Sequence, residues 1–542
     1  MSYPQITDYQ EAVQHPAQAF IDPDLKQGAV AENNLGLPLV MSGGFALTYA
    51  VTTPRRKCAV RCFHREIPAI QQKYDATSKK LRSLAIGCFV NFDFQQSGIS
   101  VRQQVFPIVR MDWVEGDTLG IWLDKNFNNP RALEKARADF AAIACFLERE
   151  GIAHGDIQNG NVMVANGDIK LIDYDGMFVP GMHPGNGSET GHRHFQHPGR
   201  RVSNFGPGMD RFSFIALDLS LRALVEDRSL YSKFREGGET IIFKANDFAD
   251  PQNSEIFRRL LAMPKLKGQA RSFAAICEAS LAAVPTLDEF LSGRNIPAAK
   301  TPINATLTPA TKPAAAYIPA YPVVDALNFS AALQRVGDRV ELIGRIVEIK
   351  PGSRKQGKGP NKRYVFINFG SSSGNIVKIS IWSDGLARLK DRPSAAWVGR
   401  WVSVTGLMDV HETKRYRHLS ITVQEDGQIQ WLDEAQAGFR LASIVMAPPP
   451  RDRVSTGAAS SGSPAAAPPA AAAKPKTLRP RSQGTARGHK RAGRQQPIPA
   501  TTVAVPAQQG TPSPTRFLAA IPRWMWAIGT FIVLITLIRM YA

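Results

Sequence analysis

Two low-complexity segments determine where this chain can build a hydrophobic core. Residues 296–322 and 442–516 are dominated by Ala and Pro. Segments of this composition bury too little apolar surface to offset the entropy that ordering costs. They therefore predict linkers, the second of them disordered and basic, and they leave residues 1–295 and 323–441 as two foldable domains. A chain of 542 residues is also longer than one core usually organises.

The charge of the chain is unevenly distributed. The formal net charge is +20, and residues 446–516 hold eleven Lys or Arg against one acid, Asp452. This balance predicts a polyanionic partner, either nucleic acid or an anionic membrane surface. Because polybasic segments bind anionic lipid, we expect the second linker to lie on the inner leaflet.

The C-terminal residues 517–542 differ from the rest of the chain. An apolar run begins at Trp524 and ends before Arg539. Flanking arginines can extend their charged heads toward the interfaces, so the pattern predicts a single transmembrane anchor, with a buried helix as the alternative. Since the basic residues precede the run, the positive-inside rule predicts a cell-membrane protein with cytoplasmic domains.

The most informative motif lies in the first domain. The stretch GIAHGDIQNGNVMV, residues 151–164, places Asp156 and Asn161 in a polar loop that leads into a strand, and a second strand ends at Asp173. Phosphoryl transfer uses one carboxylate to orient the attacking hydroxyl, and an amide and a second carboxylate to hold metal on the phosphates. These three residues supply that set.

This segment resembles the protein kinases. The sequence HGDIQNGN is similar to the kinase catalytic loop, and IDYDG, residues 172–176, is similar to the metal-binding motif that follows it. The resemblance implies an α+β two-lobed domain over residues 1–295, ATP and Mg²⁺ (or Mn²⁺) as cofactors, and Asp156 as catalytic base. It also implies that Asn161 and Asp173 bind metal, with Asp175 as an alternative ligand.

Other kinase-like motifs occur in the same order as in that family. In KCAVRCF, residues 57–63, Ala59 and Arg61 share one face of a strand, and Arg61 takes the place of the phosphate-pairing lysine. Arginine keeps the charge, but its wider fork can shift the nucleotide. Asp75 is the candidate acid partner of Arg61. Near the start of a later helix, Asp210 is predicted to brace the catalytic loop, and His154 is also assigned a structural role.

The nucleotide is expected between a glycine segment and a hinge strand. VMSGGFALTYAV, residues 40–51, resembles a glycine-rich loop, and VFPIVRMDWVEGDTL, residues 105–119, resembles a hinge. The predicted ATP-binding residues are Gly43, Gly44, Ala59, Arg61, Met111, Trp113 and Asn161. Downstream, four histidines could suggest zinc: His183, His192, His194 and His197. We favour packing or substrate contact for them, because no cysteine accompanies them.

The second domain shows strand alternation. Tyr364 and Phe366 share a face of YVFINF, and Lys378 and Trp382 share a face of VKISIW. Five strands, two of them interrupted by glycine, resemble the small all-β barrel of the OB fold. The resemblance implies that these four residues form a ligand face, which could stack single-stranded nucleic acid. A protein-interaction or spacer module is the alternative.

Taken together, these features predict a membrane-tethered, ATP-dependent protein kinase that phosphorylates a serine or threonine of a protein substrate. The HGD triplet, at residues 154–156, also occurs in small-molecule kinases. The rival hypothesis is a nucleotide-binding pseudokinase scaffold whose OB-like domain binds single-stranded nucleic acid or another ligand. A third possibility is a nucleic-acid-binding protein.

Overall fold

The computed structural model describes residues 3–33, 36–43, 45–66, 69–84, 86–185, 187–300, 316–354, 362–371, 374–412 and 416–446. Residues 1–452 form one compact unit. Within it we call residues 3–300 the first module and residues 316–446 the second module. The predicted anchor, most of the predicted second linker and residues 301–315 of the first linker lie outside the described residues.

The first module begins with a sheet subdomain. Its helices are α1 (Ile6–Val13), α2 (Pro16–Ala19), α3 (Pro23–Lys26) and α4 (Ile70–Arg82). Its strands are β1 (Ala29–Val30), β2 (Val40–Ser42), β3 (Ala46–Thr52), β4 (Lys57–Phe63), β5 (Phe92–Val101) and β6 (Gln104–Asp112). They form one antiparallel sheet in the order β1-β3-β4-β6-β5, with β2 also paired to β3.

Both faces of this sheet pack against other elements, and the two faces of β4 belong to different hydrophobic clusters. On β4, Cys58, Val60 and Cys62 pack in a cluster with α1, α2 and α3. Residues of the other face, among them Phe63 and Met111, join the main core with Tyr74 of α4. The sheet therefore holds β4 rigidly, with one face turned toward the rest of the first module.

A helical subdomain follows. Its helices are α5 (Leu119–Asn126), α6 (Pro130–Glu150), α7 (Arg211–Glu226), α8 (Ser229–Phe234), α9 (Ala245–Ala249), α10 (Glu255–Ala262), α11 (Lys267–Glu278) and α12 (Leu287–Ser292). A three-stranded sheet of β7 (Asp117–Thr118), β8 (Val162–Ala165) and β9 (Asp168–Leu171) lies against it. Helix α7 is buried on almost every side, so the segment that leads into it is well anchored.

The second module contains two sheets and three helices. Its strands are β10 (Val323–Asp325), β11 (Arg339–Arg345), β12 (Glu348–Arg354), β13 (Lys362–Asn368), β14 (Ile376–Ile381), β15 (Trp401–Leu407), β16 (Asp409–Glu412), β17 (Arg417–Val423) and β18 (Ile429–Leu432). Its helices are α13 (Phe329–Gln334), α14 (Ser383–Arg388) and α15 (Glu434–Met446). The sheet orders are β10-β11-β15-β18 and β12-β13-β14-β17-β16, and the pairs β10–β11 and β14–β17 are parallel.

The predicted fold class is therefore wrong for the second module. The second module is not all-β, because three helices belong to it and one of them, α15, continues past the predicted domain end at residue 441. In addition, every helix among the described residues is too short or too polar to traverse a lipid bilayer. The longest, α6, has 21 residues and carries charged side chains along its length. The described chain is a mixed α+β structure with several antiparallel and mixed sheets.

Candidate active site

The loop between α6 and β8, residues 151–161, is held by one buried carboxylate. Asp210, which directly precedes α7, accepts a hydrogen bond from the Gly155 amide at 2.8 Å and another from the His154 amide. Burial raises the pKa of Asp210 above its ordinary value. Helix α6 ends at Gly151, whose φ of 63° suits glycine. The loop is thus fixed at its start to α6 and near its middle to the residue that precedes α7.

His154 connects this loop to the end of β9. Its ring is fully buried, its Nε2 lies 2.9 Å from the Ile172 carbonyl oxygen, and its edge meets the Tyr174 ring. The next residue after Ile172 is Asp173. The structure therefore brings the loop of Asp156 and the segment of Asp173 together through a shared buried contact.

The carboxylate of Asp156 is surrounded by donors. Its Oδ2 accepts hydrogen bonds from Asn161 Nδ2 and from Gln158 Nε2, each at 2.8 Å. Its Oδ1 accepts one from the His192 amide at 2.7 Å. Asp156 and Asn161 are therefore in direct contact. Such a carboxylate has a fixed orientation, which is what a general base requires.

Asp173 faces Arg61 across the space between the two subdomains. Arg61 is 5% exposed and donates to Asp173 Oδ1 at 2.8 Å and to Asp175 Oδ2 at 2.6 Å. Burial raises the pKa of Asp173, but the Arg61 guanidinium outweighs it and holds that pKa below its ordinary value. The Asp173 side chain is 31% exposed, so part of it is accessible to solvent.

The acid partner of Arg61 differs from the one predicted. Asp75 is exposed, whereas the preceding residue, Tyr74, is 3% exposed and donates its hydroxyl hydrogen bond to Asp175. One residue on a helix corresponds to about 100° of rotation, so only one of these neighbours can face the core. The prediction for Asp75 is wrong, and the carboxylates paired with Arg61 are Asp173 and Asp175. Burial, partly opposed by Arg61, raises the pKa of Asp175 to about 6.

Some of the predicted nucleotide-contacting residues lie close to Arg61 and Asp173. Ala59 is paired with Met111 between β4 and β6, and a Cβ added to Gly43 would lie 3.9 Å from Asp173 Oδ2. The Trp113 ring is covered by Lys57, whose Nζ lies 4.3 Å from its centroid. Gly44 lies outside the described residues. The structure thus brings Gly43, Arg61 and Asp173 together, with Ala59 on the same strand as Arg61 and Met111 on the neighbouring strand β6.

Sequence reasoning missed Glu189. Burial first, and then the negative charges of Asp156, Asp173 and Asp175, raise its pKa well above the ordinary range. Glu189 Oε1 would also lie 2.8 Å from a Cβ added to Gly176. No sequence signal distinguishes this acid from others in a polar loop, since only the folded path of residues 187–192 brings it to the site. Asp173 and Asp175 bond the Arg61 guanidinium, and the raised pKa of Glu189 favours its neutral form beside them.

The described residues contain no group of three or more His, Cys, Asp or Glu side chains arranged to hold a metal ion. Three of the four downstream histidines have other partners in the structure. His192 Nε2 lies 2.9 Å from Glu239, His194 Nδ1 accepts from the Ala245 amide at 3.1 Å, and His197 Nδ1 accepts from the Gly199 amide at 2.9 Å. These histidines serve packing and chain connection in the structure.

The predicted ligand face of the second module is also assembled. The rings of Tyr364, Phe366 and Trp382 lie 4.8 to 5.8 Å apart between centroids. Lys378 Nζ lies 3.9 Å from the Phe366 centroid and 3.5 Å from His418 Nδ1. Burial lowers the pKa of Lys378, and no carboxylate among the described residues forms an ion pair with it.

Comparison with known proteins adds no relative. The chain matches no protein-family model, and no curated protein matches it. What the chain does must therefore be argued from its own residues and their geometry.

Proposed function

We propose that this protein is an ATP-dependent phosphotransferase that transfers the terminal phosphate of ATP to a serine or threonine hydroxyl of a protein. The observation that carries the proposal is the convergence of Asp156, Asn161, Asp173 and Arg61. They come from a loop, a strand end and a strand of the other subdomain, and the Ile172 amide, next to Asp173, donates to the Asn161 carbonyl oxygen at 3.0 Å. A carboxylate, an amide, a second carboxylate and a permanent cation are the groups that phosphoryl transfer requires.

In this proposal Asp156 is the base. Its carboxylate is oriented by Asn161 and Gln158, so it can accept the proton of an incoming hydroxyl with little reorganisation. Asp210 holds this loop by accepting a hydrogen bond from the Gly155 amide, and the His154 side chain holds it by its contact with the Ile172 carbonyl oxygen. The orientation of the Asp156 carboxylate is therefore set by the fold before a substrate arrives.

Asn161 and Asp173 fit a divalent cation that also contacts phosphate. Mg²⁺ is usually bound by one or two carboxylates together with substrate phosphates, rather than by a complete cage of side chains. Asp173 meets this need because it is partly exposed and its Oδ2 faces Gly43. When bound, Mg²⁺ or Mn²⁺ supplies positive charge that offsets the charge of the phosphates.

Arg61 has two roles in the proposal. Without nucleotide it neutralises Asp173 and Asp175, as the two ion pairs indicate. With nucleotide, its planar fork can bind phosphate oxygens through two parallel hydrogen bonds. The proposal of a protein acceptor is supported by the long ordered segment between Asp173 and Asp210, which offers more surface than a small hydroxyl compound needs.

The test is phosphate transfer by the full chain from radiolabelled ATP, with Mg²⁺ or Mn²⁺, to a generic protein acceptor or to itself. Asp156→Asn should lower the rate by about 100-fold or more, because it removes a general base. Asp75→Asn, on the exposed face of α4, is the matched control and should leave the rate unchanged. Equal transfer by the wild type and Asp156→Asn would contradict the proposal.

A nucleotide-binding scaffold is the second candidate. It is favoured by Arg61, whose guanidinium already bonds two carboxylates that compete with phosphate for it. In that case the assembled aromatic face of the second module would carry the function by binding single-stranded nucleic acid. Retained nucleotide binding without transfer by either protein would favour this candidate.

A further inference from the structure

The second module reaches the candidate base through a short chain of contacts. Asp156 Oδ2 is engaged by its own loop, so Oδ1 is the oxygen left for a substrate hydroxyl. In the structure Oδ1 accepts a hydrogen bond from the His192 amide at 2.7 Å. The backbone of residues 191–192 therefore lies where a hydroxyl would have to approach.

Gly191 makes this close approach possible. Its φ is 73°, and a Cβ at this position would lie 2.7 Å from the Gly155 carbonyl oxygen and 3.0 Å from Asp156 Oδ1. A side chain would collide with the loop, so only glycine lets the segment lie flat on it. The backbone of this segment thus occupies a hydrogen-bonding position at Oδ1 of Asp156, a residue that is only partly exposed.

The His192 side chain is held by the rest of the molecule. The residue is 4% exposed, and its Nε2 lies 2.9 Å from Glu239 Oε2. The other oxygen, Glu239 Oε1, accepts from Arg339 of β11 at 2.7 Å. The Tyr321 ring, also from the second module, meets the His192 ring edge to face at 5.4 Å. Glu239 thus joins the segment over Asp156 to the second module.

Glu239 remains ionised in this position. Burial raises its pKa, but Arg339 and His192 outweigh burial and hold the pKa well below its ordinary range. Leaving either charge without its partner in a half-buried site would be costly, because an unpaired buried charge loses several kcal/mol of solvation. The link between the two modules is therefore strong while they remain docked.

Further contacts anchor the second module to both subdomains. Arg65, which follows β4, donates to Asp338 and to the Gly337 carbonyl oxygen. Arg440 of α15 lies 3.5 Å from Glu236, close to Glu239 in the helical subdomain. The module therefore spans from the sheet subdomain to the helical subdomain, and limits how they move against each other.

We propose that the second module is an intramolecular inhibitor: through Arg339, Glu239 and His192 it holds residues 191–192 over Asp156. This inference rests on the proposed phosphotransferase function. Transfer to an external hydroxyl then requires the Arg339–Glu239 contact to open, so that the segment can leave Oδ1. A coupling of this kind changes activity by about 5- to 150-fold.

The experiment measures two quantities in the full chain carrying Arg339→Met. The first is the rate of phosphate transfer, which should rise by about tenfold. The second is hydrogen exchange of the His192 amide, which should quicken because its hydrogen bond to Asp156 is no longer enforced. Arg345→Met is the matched control, because Arg345 lies on the same strand and, among the described residues, its side chain bonds within its own module, to the Gly399 carbonyl oxygen.

The transfer rate and the exchange of the His192 amide test the inhibitory role separately from the proposed phosphotransferase function. A lower or unchanged transfer rate, in a protein whose wild type does transfer phosphate, would overturn the inhibitory role. Faster exchange without transfer by any variant would overturn the proposed function, and inhibition with it. If Arg339→Met unfolds, Glu239→Gln keeps the shape, removes the charge and carries the same two expectations.

Discussion

The candidate site of the first module depends most on Arg61. Arg61 is 5% exposed and offsets the buried charges of two carboxylates, Asp173 and Asp175. Replacing it with methionine keeps the volume of the stem but leaves both acids unpaired. We expect Arg61→Met to lower the free energy of unfolding by about 3–5 kcal/mol, the usual cost of breaking a buried ion pair.

A double variant tests the cause of that loss. If the unpaired charge is responsible, Arg61→Met/Asp175→Asn should be more stable than Arg61→Met alone, since it removes one buried charge. Arg56→Met is the control, because the Arg56–Asp112 ion pair lies at the surface, where such pairs contribute less than about 1 kcal/mol. Denaturant unfolding measures all three. A double variant no more stable than the single one would contradict the explanation.

At the residue scale, the spacing of the motifs predicted which residues form the candidate site better than it predicted the residues with which they form hydrogen bonds. The polar loop that leads into a predicted strand, with the resemblance of its motif, was enough to select Asp156 and Asn161, and the structure brings them into contact. It could not select Glu189 or the Tyr74–Asp175 hydrogen bond, because these depend on the path of a loop and the rotation of a helix. Such contacts are tertiary, and a periodic pattern carries no information about them.

The β13–β14 pair is the element with the most distinctive surface. Three aromatic rings lie together, and Lys378 is buried beside them without a carboxylate partner among the described residues. If the face binds single-stranded nucleic acid, Trp382→Ala should weaken binding by about 1–3 kcal/mol, the value of one stacked base. Lys378→Met should make binding less dependent on salt, because one phosphate contact is lost.

Fluorescence anisotropy of a labelled DNA oligonucleotide, at several salt concentrations, measures both effects. Phe439→Ala on α15 is the control, since this aromatic residue is 40% exposed and lies outside β13–β14. Equal affinities for the wild type and Trp382→Ala would mean that the face does not stack bases. The rings would then serve packing alone.

At the element scale, period-two patterns predicted strands well and helices of the second module poorly. Val365 and Ile367 are buried as the alternation requires, and Val377 and Ile379 of the neighbouring strand are buried with them. The helices α13 and α14 have six residues each, too short for a clear helical period. The longer helix α15 begins in a segment assigned to the barrel and ends in one assigned to a linker, so composition concealed it.

At the scale of the whole molecule, the two modules share an interface that the sequence did not indicate. Its ion pairs join residues as far apart in sequence as Arg65 and Asp338, or Glu239 and Arg339. Single charged residues at such separations show no pattern, so domain boundaries could be proposed from composition while docking could not. Docking is nevertheless what brings the second module to residues 191–192.

This interface also contains a carboxylate that is poorly compensated. Burial raises the pKa of Asp409, at the start of β16, to about 6, although Asp409 accepts a hydrogen bond from the Val410 amide at 2.8 Å. The charge of Asp409 acts on Tyr49 of the first module. The pKa of Tyr49 is raised first by burial and then by Cys62 and Asp409. The Tyr49 hydroxyl is buried without a hydrogen-bond partner. Ionised Asp409 therefore opposes docking of the modules.

The pH dependence follows from the direction of that shift. An ordinary aspartate releases its proton near pH 3.8, whereas folded Asp409 holds it to about pH 6, so between these values the folded state binds more protons. Stability contributed by this group is then lost as pH rises through about 6. Asp409→Asn should raise the unfolding free energy by roughly 1–3 kcal/mol near neutral pH, and the gain should shrink as the pH falls toward about 4. Denaturant unfolding at neutral pH and at about pH 4 measures this change, and Asp391→Asn, at an exposed residue, is the control. A gain in unfolding free energy that is the same at both pH values would show that the ionisation of Asp409 is not the cause.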